Sequence, residues 1–92
     1  MAQQLIGFIG AGNMANSLAG GMIAKGIRPA RIWMSDPSKD RLDEVSQLHR
    51  VHVTHDNLDV ARRVDVLVLD ALRYRHHPTH WRKVEHFSYS KL

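Results

Sequence analysis

The stretch Leu5-Ile-Gly-Phe-Ile-Gly-Ala-Gly-Asn-Met-Ala15 decides the fold of this 92-residue chain. It opens with a short, continuous apolar run, and a continuous run predicts a strand that is buried on both faces. Small residues follow, and from Asn13 the apolar residues recur at helical spacing. The stretch therefore predicts a strand, a tight turn and a helix that extends to Lys25, with Gly26 placed to cap its C-terminus.

The rest of the first 70 residues repeats this alternation of strand and helix. Further strands are predicted at 31–35, 51–54 and 64–69, a second helix begins near Asp36-Pro37, and Asp56 caps a short third helix. Alternating elements of this kind imply parallel strands joined by right-handed crossovers. We therefore predict an α/β fold, a partial Rossmann-like doubly wound parallel sheet of order β-α-β-α-β-α-β.

Two details of the helices carry predictions about packing. Leu42, Val45 and Leu48 are spaced i, i+3, i+6 and are predicted to form the buried stripe of the second helix. Gly20 and Gly21 inside the first helix cost roughly 1 kcal/mol each relative to Ala. This cost predicts that a neighbouring element packs closely against both glycines.

Composition divides the chain near residue 70. Residues 1–70 contain 8 Lys and Arg against 8 Asp and Glu, whereas residues 71–92 contain 5 basic residues against one acid. The second segment thus supplies the whole formal charge of +4. We predict a Rossmann-like domain at 1–70 and an irregular basic tail at 71–92, for which disorder is one state that the composition allows.

Several function classes are excluded or disfavoured by the composition. The chain has no cysteine, which excludes a disulfide scaffold, a thiolate metal site and a cysteine nucleophile. No secretory signal or membrane span is visible, so we expect a cytoplasmic protein. His76, His77 and His80 have metal-like spacing, but Pro78 disrupts the helix that would align them, and we predict no metal site. The tail also interleaves basic and aromatic residues, a pattern suited to binding single-stranded nucleic acid. Because no recognisable nucleic-acid-binding fold accompanies this pattern, we do not expect nucleic acid as a partner.

The turn after the first strand carries the chemistry. Gly10 to Ala15 fits the pattern G-x-G-x-x-G/A, between a strand and a helix as a dinucleotide site requires. Gly10 permits the tight turn, Gly12 lets a pyrophosphate approach the backbone, and Ala15 allows close packing of helix on strand. N–H groups at the start of the helix would face the phosphates. The alternative is a tight turn with no ligand. The predicted cofactor-binding residues of this segment are Ile9, Gly10, Ala11, Gly12, Asn13, Met14 and Ala15.

The end of the second strand is where such sites meet the adenosine ribose. Ser35 and Asp36 stand there, and an acid at this point favours the 2′-hydroxyl of NAD over the 2′-phosphate of NADP. Alternatively, Asp36 only caps the second helix. Lys39 and Arg41 offer positive charge to a phosphate. These residues alone leave the choice of cofactor open.

Several segments together resemble the start of pyrroline-5-carboxylate reductase. The similarity covers about residues 4–69 and is carried by Ile6-Gly-Phe-Ile-Gly-Ala-Gly-Asn-Met-Ala15, Ala19-Gly-Gly-Met22, Ile32-Trp-Met-Ser-Asp-Pro-Ser38, Val51-His-Val-Thr-His-Asp-Asn57 and Ala61-Arg-Arg-Val-Asp-Val-Leu-Val-Leu69. This family reduces pyrroline-5-carboxylate to proline with NAD(P)H, generally preferring NADPH, in proline biosynthesis. The resemblance implies NADPH as cofactor, with NADH as the other choice.

The resemblance also implies roles for individual residues. Ile9 to Met14 would line the pyrophosphate, Ser35, Asp36 and Ser38 would lie at the adenosine end, and Asn57 would contact the cofactor ribose. Asn57 has an alternative interpretation as the start of a turn or helix. No residue of this chain is assigned a catalytic role.

The sequence departs from the family after the fourth strand. The family continues with Ala-Val-Lys-Pro, whereas this chain has Asp70-Ala-Leu-Arg-Tyr74. Family chains are longer, and their C-terminal domain dimerises and forms most of the imine pocket. We expect a truncated or frameshifted product that is inactive alone. It would bind pyrroline-5-carboxylate only if that domain were supplied. We also expect it to self-associate through an uncovered sheet edge at 64–69. Alternatives are a non-catalytic nucleotide-binding fragment and a basic-tailed binding protein on a Rossmann-like scaffold.

Overall fold

The structure, a computed structural model, describes residues 4–70, 82–84 and 87–91. The helices are α1 (Asn13–Ala24), α2 (Lys39–His49) and α3 (Asn57–Arg63), with a 3₁₀ turn at Pro29–Arg31. The strands are β1 (Ile6–Ile9), β2 (Ile32–Ser35), β3 (His52–Thr54), β4 (Val66–Asp70), β5 (Arg82–Val84) and β6 (Phe87–Lys91). Strand and helix alternate through β4, as predicted from the sequence.

These strands form one six-stranded sheet in the order β3-β2-β1-β4-β6-β5. The first four strands are parallel, which confirms the predicted Rossmann-like α/β fold. Ile9 at the end of β1 pairs with Ser35 of β2 and Leu69 of β4, and Ser35 also pairs with Thr54 of β3. The four parallel strands therefore end at one edge of the sheet, and the loops that follow them meet there.

Two apolar clusters lie on opposite faces of the sheet. Residues of α1 and α2 pack with one set of strand side chains, and α3 packs with the other. The first cluster includes Phe8, Ala15, Ala19, Met34, Leu42 and Val45, and the second comprises Ile9, Val60, Val64, Leu67 and Leu69. This arrangement leaves the carboxyl edge of the strands between the helix layers.

The helix α3 packs directly against β1 at Gly7. A Cβ atom built on Gly7 would lie 2.5 Å from Cγ1 of Val60 and 2.9 Å from Cγ1 of Val64. Such distances are too short for carbon atoms, so only glycine permits this approach. Gly7 therefore serves the packing of the domain.

The packing predictions for the helices hold only in part. Leu42 and Val45 are buried, but Leu48 is 67% exposed, so its predicted burial is wrong. An i+6 residue is rotated by about 240° around the helix axis and leaves the stripe of its partners. Gly20 faces the His49 ring, since its Cβ would lie 3.4 Å from Cε1, whereas Gly21 has no atom within 4 Å among the described residues. Close packing is thus confirmed at Gly20 and wrong at Gly21.

The predicted helix ends are confirmed for α1 and α3 and corrected for α2. Gly26 has a φ of +105°, as a C-terminal cap of α1 requires. The Asp56 carboxylate accepts a hydrogen bond from the Leu58 N–H at 2.9 Å and caps α3. The cap of α2 is Ser38, not Asp36, because the Ser38 hydroxyl accepts from the Arg41 N–H at 3.3 Å.

The tail differs from the irregular segment expected from its composition. Strand β6 pairs antiparallel with β4 along its whole length, and β5 pairs with β6. The outer edge of β4 is therefore covered by the chain itself, and the expectation of an uncovered edge there is wrong. Sequence alternation at Phe87-Ser-Tyr-Ser-Lys91 is typical of a strand. The histidines 76, 77 and 80 lie outside the described residues.

The described residues form neither a membrane-spanning helix nor a metal-binding cluster. None of their helices has the length and apolar character needed to cross a membrane. They also contain no cluster of three or more His, Cys, Asp or Glu side chains arranged to hold a metal ion.

Candidate functional site

The loop between β1 and α1 begins with a turn that only glycine adopts readily. Gly10 has a φ of +107° and is buried. Its N–H donates to the Ser35 carbonyl oxygen at 2.7 Å, which fixes the loop to the end of β2. The predicted role of Gly10 in a tight turn is therefore confirmed by its backbone geometry.

The start of α1 presents unpaired backbone donors. Gly12 is its N-cap, and no side chain of the described residues caps this end. The first helical bond runs from the Asn16 N–H to the Gly12 carbonyl oxygen at 3.0 Å, so the N–H groups of residues 12–15 have no partner inside the helix. With no acid in the first turn, this positive helix end is suited to an anion.

The space beside Gly12 is open except on one side. A Cβ atom built on Gly12 would have a single neighbour within 4 Å among the described residues, the Arg41 Nη1 atom at 3.5 Å. That is an ordinary van der Waals distance, and the φ of Gly12 is −80°. The fold itself therefore does not require glycine at position 12, in contrast to position 7.

Asp36 fastens the loop instead of facing solvent. Its side chain is 1% exposed. The Oδ2 atom accepts from the Ala11 N–H at 2.9 Å, and the Oδ1 atom accepts from the Ser38 N–H at 2.9 Å. The carboxylate also lies 3.9 Å from the Arg41 Nη1 atom. Asp36 thus joins the glycine-rich loop to the start of α2, a role that sequence reasoning missed while weighing a ribose contact against a helix cap.

The charged side chains near this loop come from α2. The Arg41 side chain is 52% exposed and lies beside both Asp36 and Gly12. The Lys39 side chain is 79% exposed and pairs with Asp43 at 3.1 Å on the helix surface. Of the two cations considered from the sequence, the structure places Arg41 at the loop.

Ser35 and Asn57 are brought together, although 22 positions separate them. Ser35 is 0% exposed, and its hydroxyl donates to the Asn57 Oδ1 atom at 2.6 Å. Asn57 is exposed and is the first residue of α3. Both interpretations of Asn57 are therefore compatible, because it starts a helix and its side chain lies at the carboxyl edge of the sheet.

The other predicted residues contribute to the loop in two ways. Ile9, Ala11 and Ala15 are buried, so their side chains support the loop from below. Asn13 is exposed and Met14 is half-buried. Only backbone and exposed groups of this segment are accessible to a ligand.

Asn16 is a loop-supporting residue that sequence reasoning missed. Its Nδ2 atom donates to the carbonyl oxygens of Ala11 at 3.2 Å and Gly12 at 3.1 Å. Its Oδ1 atom is buried and has no hydrogen-bond partner among the described residues. The available signal was its position four residues after Gly12, one helical turn away from the loop.

The parallel sheet, the glycine turn and the uncapped start of α1 are the features of a Rossmann-like domain of the dinucleotide-binding class. The chain belongs to the family described as NADP oxidoreductase, coenzyme F420-dependent, whose sequence model matches residues 5–91. Within that class its relatives are pyrroline-5-carboxylate reductases, which confirms the family resemblance found in residues 4–69.

Three relatives show the extent of the similarity. The chain is 39% identical over 69 residues to pyrroline-5-carboxylate reductase of Pseudomonas aeruginosa, covering 75% of this chain and 25% of that one. It is 48% identical over 56 residues to pyrroline-5-carboxylate reductase 3 of Danio rerio, covering 60% and 19%. The solved structure of a pyrroline-5-carboxylate reductase from Coxiella burnetii matches with a TM-score of 0.70 and 43% identity, covering 74% and 25%. The chain thus spans about a quarter of the length of the curated relatives it matches.

Proposed function

We propose that residues 4–70 bind NADPH, with NADH as the alternative cofactor, and act as the dinucleotide-binding part of a pyrroline-5-carboxylate reductase. The observation that carries this proposal is the open N-terminus of α1 beside Gly12. Backbone donors of residues 12–15 lie there without helical partners. A pyrophosphate would accept hydrogen bonds from them and interact favourably with the helix dipole.

The proposed contacts follow the carboxyl edge of the sheet. The pyrophosphate would lie on the loop from Gly10 to Ala15, the adenosine end near Ser38, and a ribose against Asn57. Ser35 and Asp36, which are buried, would act by holding these groups in place. This division separates residues that touch the cofactor from residues that shape its site.

The charge distribution supports NADPH over NADH. Both oxygens of Asp36 accept backbone hydrogen bonds, so this acid does not present a free carboxylate to a ribose 2′-hydroxyl. The Arg41 guanidinium is half exposed beside the loop, and the 2′-phosphate of NADPH would give it a charge-assisted hydrogen-bond acceptor that NADH lacks. We therefore propose Arg41 as the residue that favours NADPH.

The proposed reaction is the reduction of pyrroline-5-carboxylate to proline. A bound nicotinamide cofactor supplies the hydride for such a reduction. The residues described here bind and orient one reactant, and hydride transfer requires that both reactants be held together. Because the matched segment covers only about a quarter of the relatives' length, we propose that the imine site is formed by the part of the reductase that this chain does not match, and that this chain alone binds cofactor without turnover.

Two measurements on the purified 92-residue chain test the proposal. We expect a titration monitored by the fluorescence of NADPH to show saturable binding. The Kd for NADPH should be lower than the Kd for NADH. We expect no proline formation from pyrroline-5-carboxylate and NADPH, with a full-length homologue as positive control. Absence of nucleotide binding would contradict the proposed cofactor site. Sustained turnover would contradict the proposal that the imine site lies outside this chain. The proposed cytoplasmic location, inferred from the sequence, is tested by fractionating cells that express a tagged chain.

A further inference from the structure

The Ser35 hydroxyl occupies an unusual position for a residue at the end of a strand. It is fully buried, and its backbone is already engaged, because its carbonyl oxygen accepts from the Gly10 N–H at 2.7 Å. A side chain with 0% exposure cannot contact a cofactor that lies outside the strand ends. Its hydroxyl instead donates to the Asn57 Oδ1 atom at 2.6 Å.

This bond determines which way the Asn57 carboxamide faces. The oxygen of the amide is directed towards the buried hydroxyl, so the NH₂ group is directed away from it. Asn57 is exposed, and within the described part of the chain its Nδ2 atom donates to no group. Two N–H donors are therefore presented at the edge where the glycine-rich loop also lies.

We propose that Ser35 is a positioning residue for cofactor binding, which holds the Asn57 amide so that its NH₂ group donates to an oxygen of the bound dinucleotide. The inference rests on the proposed function, and it assigns Ser35 an indirect role in place of the direct contact expected from the sequence. Without the hydroxyl, no group in the described part of the chain holds the exposed amide in this orientation, and the cost of ordering the amide falls on cofactor binding.

We expect the fold to remain intact when the hydroxyl is removed. The Asn57 Oδ1 atom is on an exposed side chain, so water replaces the lost donor, and no buried polar group is left unpaired. Ser35→Ala deletes one buried oxygen, and Ser35→Cys fills that space with a weaker donor. Both variants test the role of the hydroxyl. Because Ser35→Cys leaves no empty space, an effect seen in both variants is not caused by a cavity.

The test is a double-mutant cycle in NADPH titrations, with Ser46→Ala on α2 as the matched control. We expect Ser35→Ala, Ser35→Cys and Asn57→Ala each to raise the Kd about three- to tenfold, the loss of roughly one hydrogen bond. We expect Ser35→Ala/Asn57→Ala to bind no more weakly than Asn57→Ala alone, because Ser35 acts only through Asn57. The control should bind as the unchanged chain does.

A second readout distinguishes positioning from a general structural effect. In the unchanged chain, NADPH should shift the Asn57 side-chain NH₂ resonances, and this shift should shrink in Ser35→Ala while the amide shifts of residues 12–15 persist. Normal affinity in both Ser35 variants, or effects that simply add in the double variant, would overturn the inference. If the unchanged chain fails to bind NADPH, the proposed function itself has failed, and the two failures are thereby distinguishable.

Discussion

Replacing Gly12 by alanine should greatly weaken cofactor binding while leaving the fold unchanged. The added Cβ meets only the Arg41 Nη1 atom, at 3.5 Å, among the described residues, and the φ of −80° suits any residue. The same change at Gly7 has the opposite consequence, since there the Cβ would lie 2.5 Å from Val60. Glycine is therefore required at position 7 by the packing of the fold, and at position 12 by the proposed ligand.

The magnitudes follow from the local geometry. At an N-cap, alanine lowers the stability of the fold by about 1 kcal/mol relative to a good cap. Replacing glycine also reduces the conformational entropy of the unfolded chain, which stabilises the fold by about 0.4–1 kcal/mol. The free energy of unfolding of Gly12→Ala should thus change by less than about 1 kcal/mol. A Cβ between the loop and a pyrophosphate removes one or two charge-assisted hydrogen bonds of about 1.5–3 kcal/mol each. The Kd for NADPH should rise at least about tenfold, and about a hundredfold or more where two bonds are lost.

The assay pairs urea unfolding with NADPH titration for both glycine variants. We expect Gly12→Ala to keep the unfolding midpoint and bind NADPH much more weakly, and Gly12→Val, with its larger side chain, to behave the same way for binding. Gly7→Ala should lose about 1–3 kcal/mol of stability through overpacking. If Gly12→Ala binds NADPH as tightly as the unchanged chain, the pyrophosphate does not lie on this loop and the reasoning is refuted.

Three further predictions concern the surroundings of the loop. Arg41→Gln should weaken NADPH binding about tenfold and weaken NADH binding less, with the exposed Arg62→Gln as control; equal losses for both cofactors would contradict a 2′-phosphate contact. Asp36→Ala should lower the free energy of unfolding in urea by about 2–4 kcal/mol, because the buried Ala11 N–H and the partly buried Ser38 N–H lose their acceptor; an unchanged midpoint would refute this role of Asp36. Gly21→Ala should stabilise the chain by about 1 kcal/mol, since a Cβ there would meet no atom within 4 Å among the described residues, and a loss of stability would indicate a contact there.

The fold of the first 70 residues could be predicted because its signals are local. The apolar run at 5–9, the glycines after it and the helical spacing from Asn13 each indicate one element, and together they define parallel strands. The tail could be assigned no structure from composition alone, because the pairing of β6 with β4 joins residues about 20 positions apart. Alternation in Phe87-Ser-Tyr-Ser-Lys91 was the usable signal for that strand.

The site was predictable in its backbone and much less so in its side chains. The motif from Gly10 to Ala15 fixes the turn, since glycine and helix starts have strong local preferences. Whether Asp36 caps a helix, meets a ribose or fastens a loop depends on the Ala11 N–H, 25 positions away. The burial of Ser35 and its bond to Asn57 likewise arise only when three strands are assembled. Tertiary contacts, not sequence spacing, decided these roles.

The most direct test of the cofactor site is an NMR titration of the isotope-labelled 92-residue chain with NADPH. We predict that the largest backbone amide shifts fall on residues 10–15, where the N–H groups at the start of α1 would meet the pyrophosphate, with smaller shifts near Ser38 and Asn57. Saturable shifts that leave residues 10–15 unaffected, or no shifts with NADPH in large excess, would contradict it.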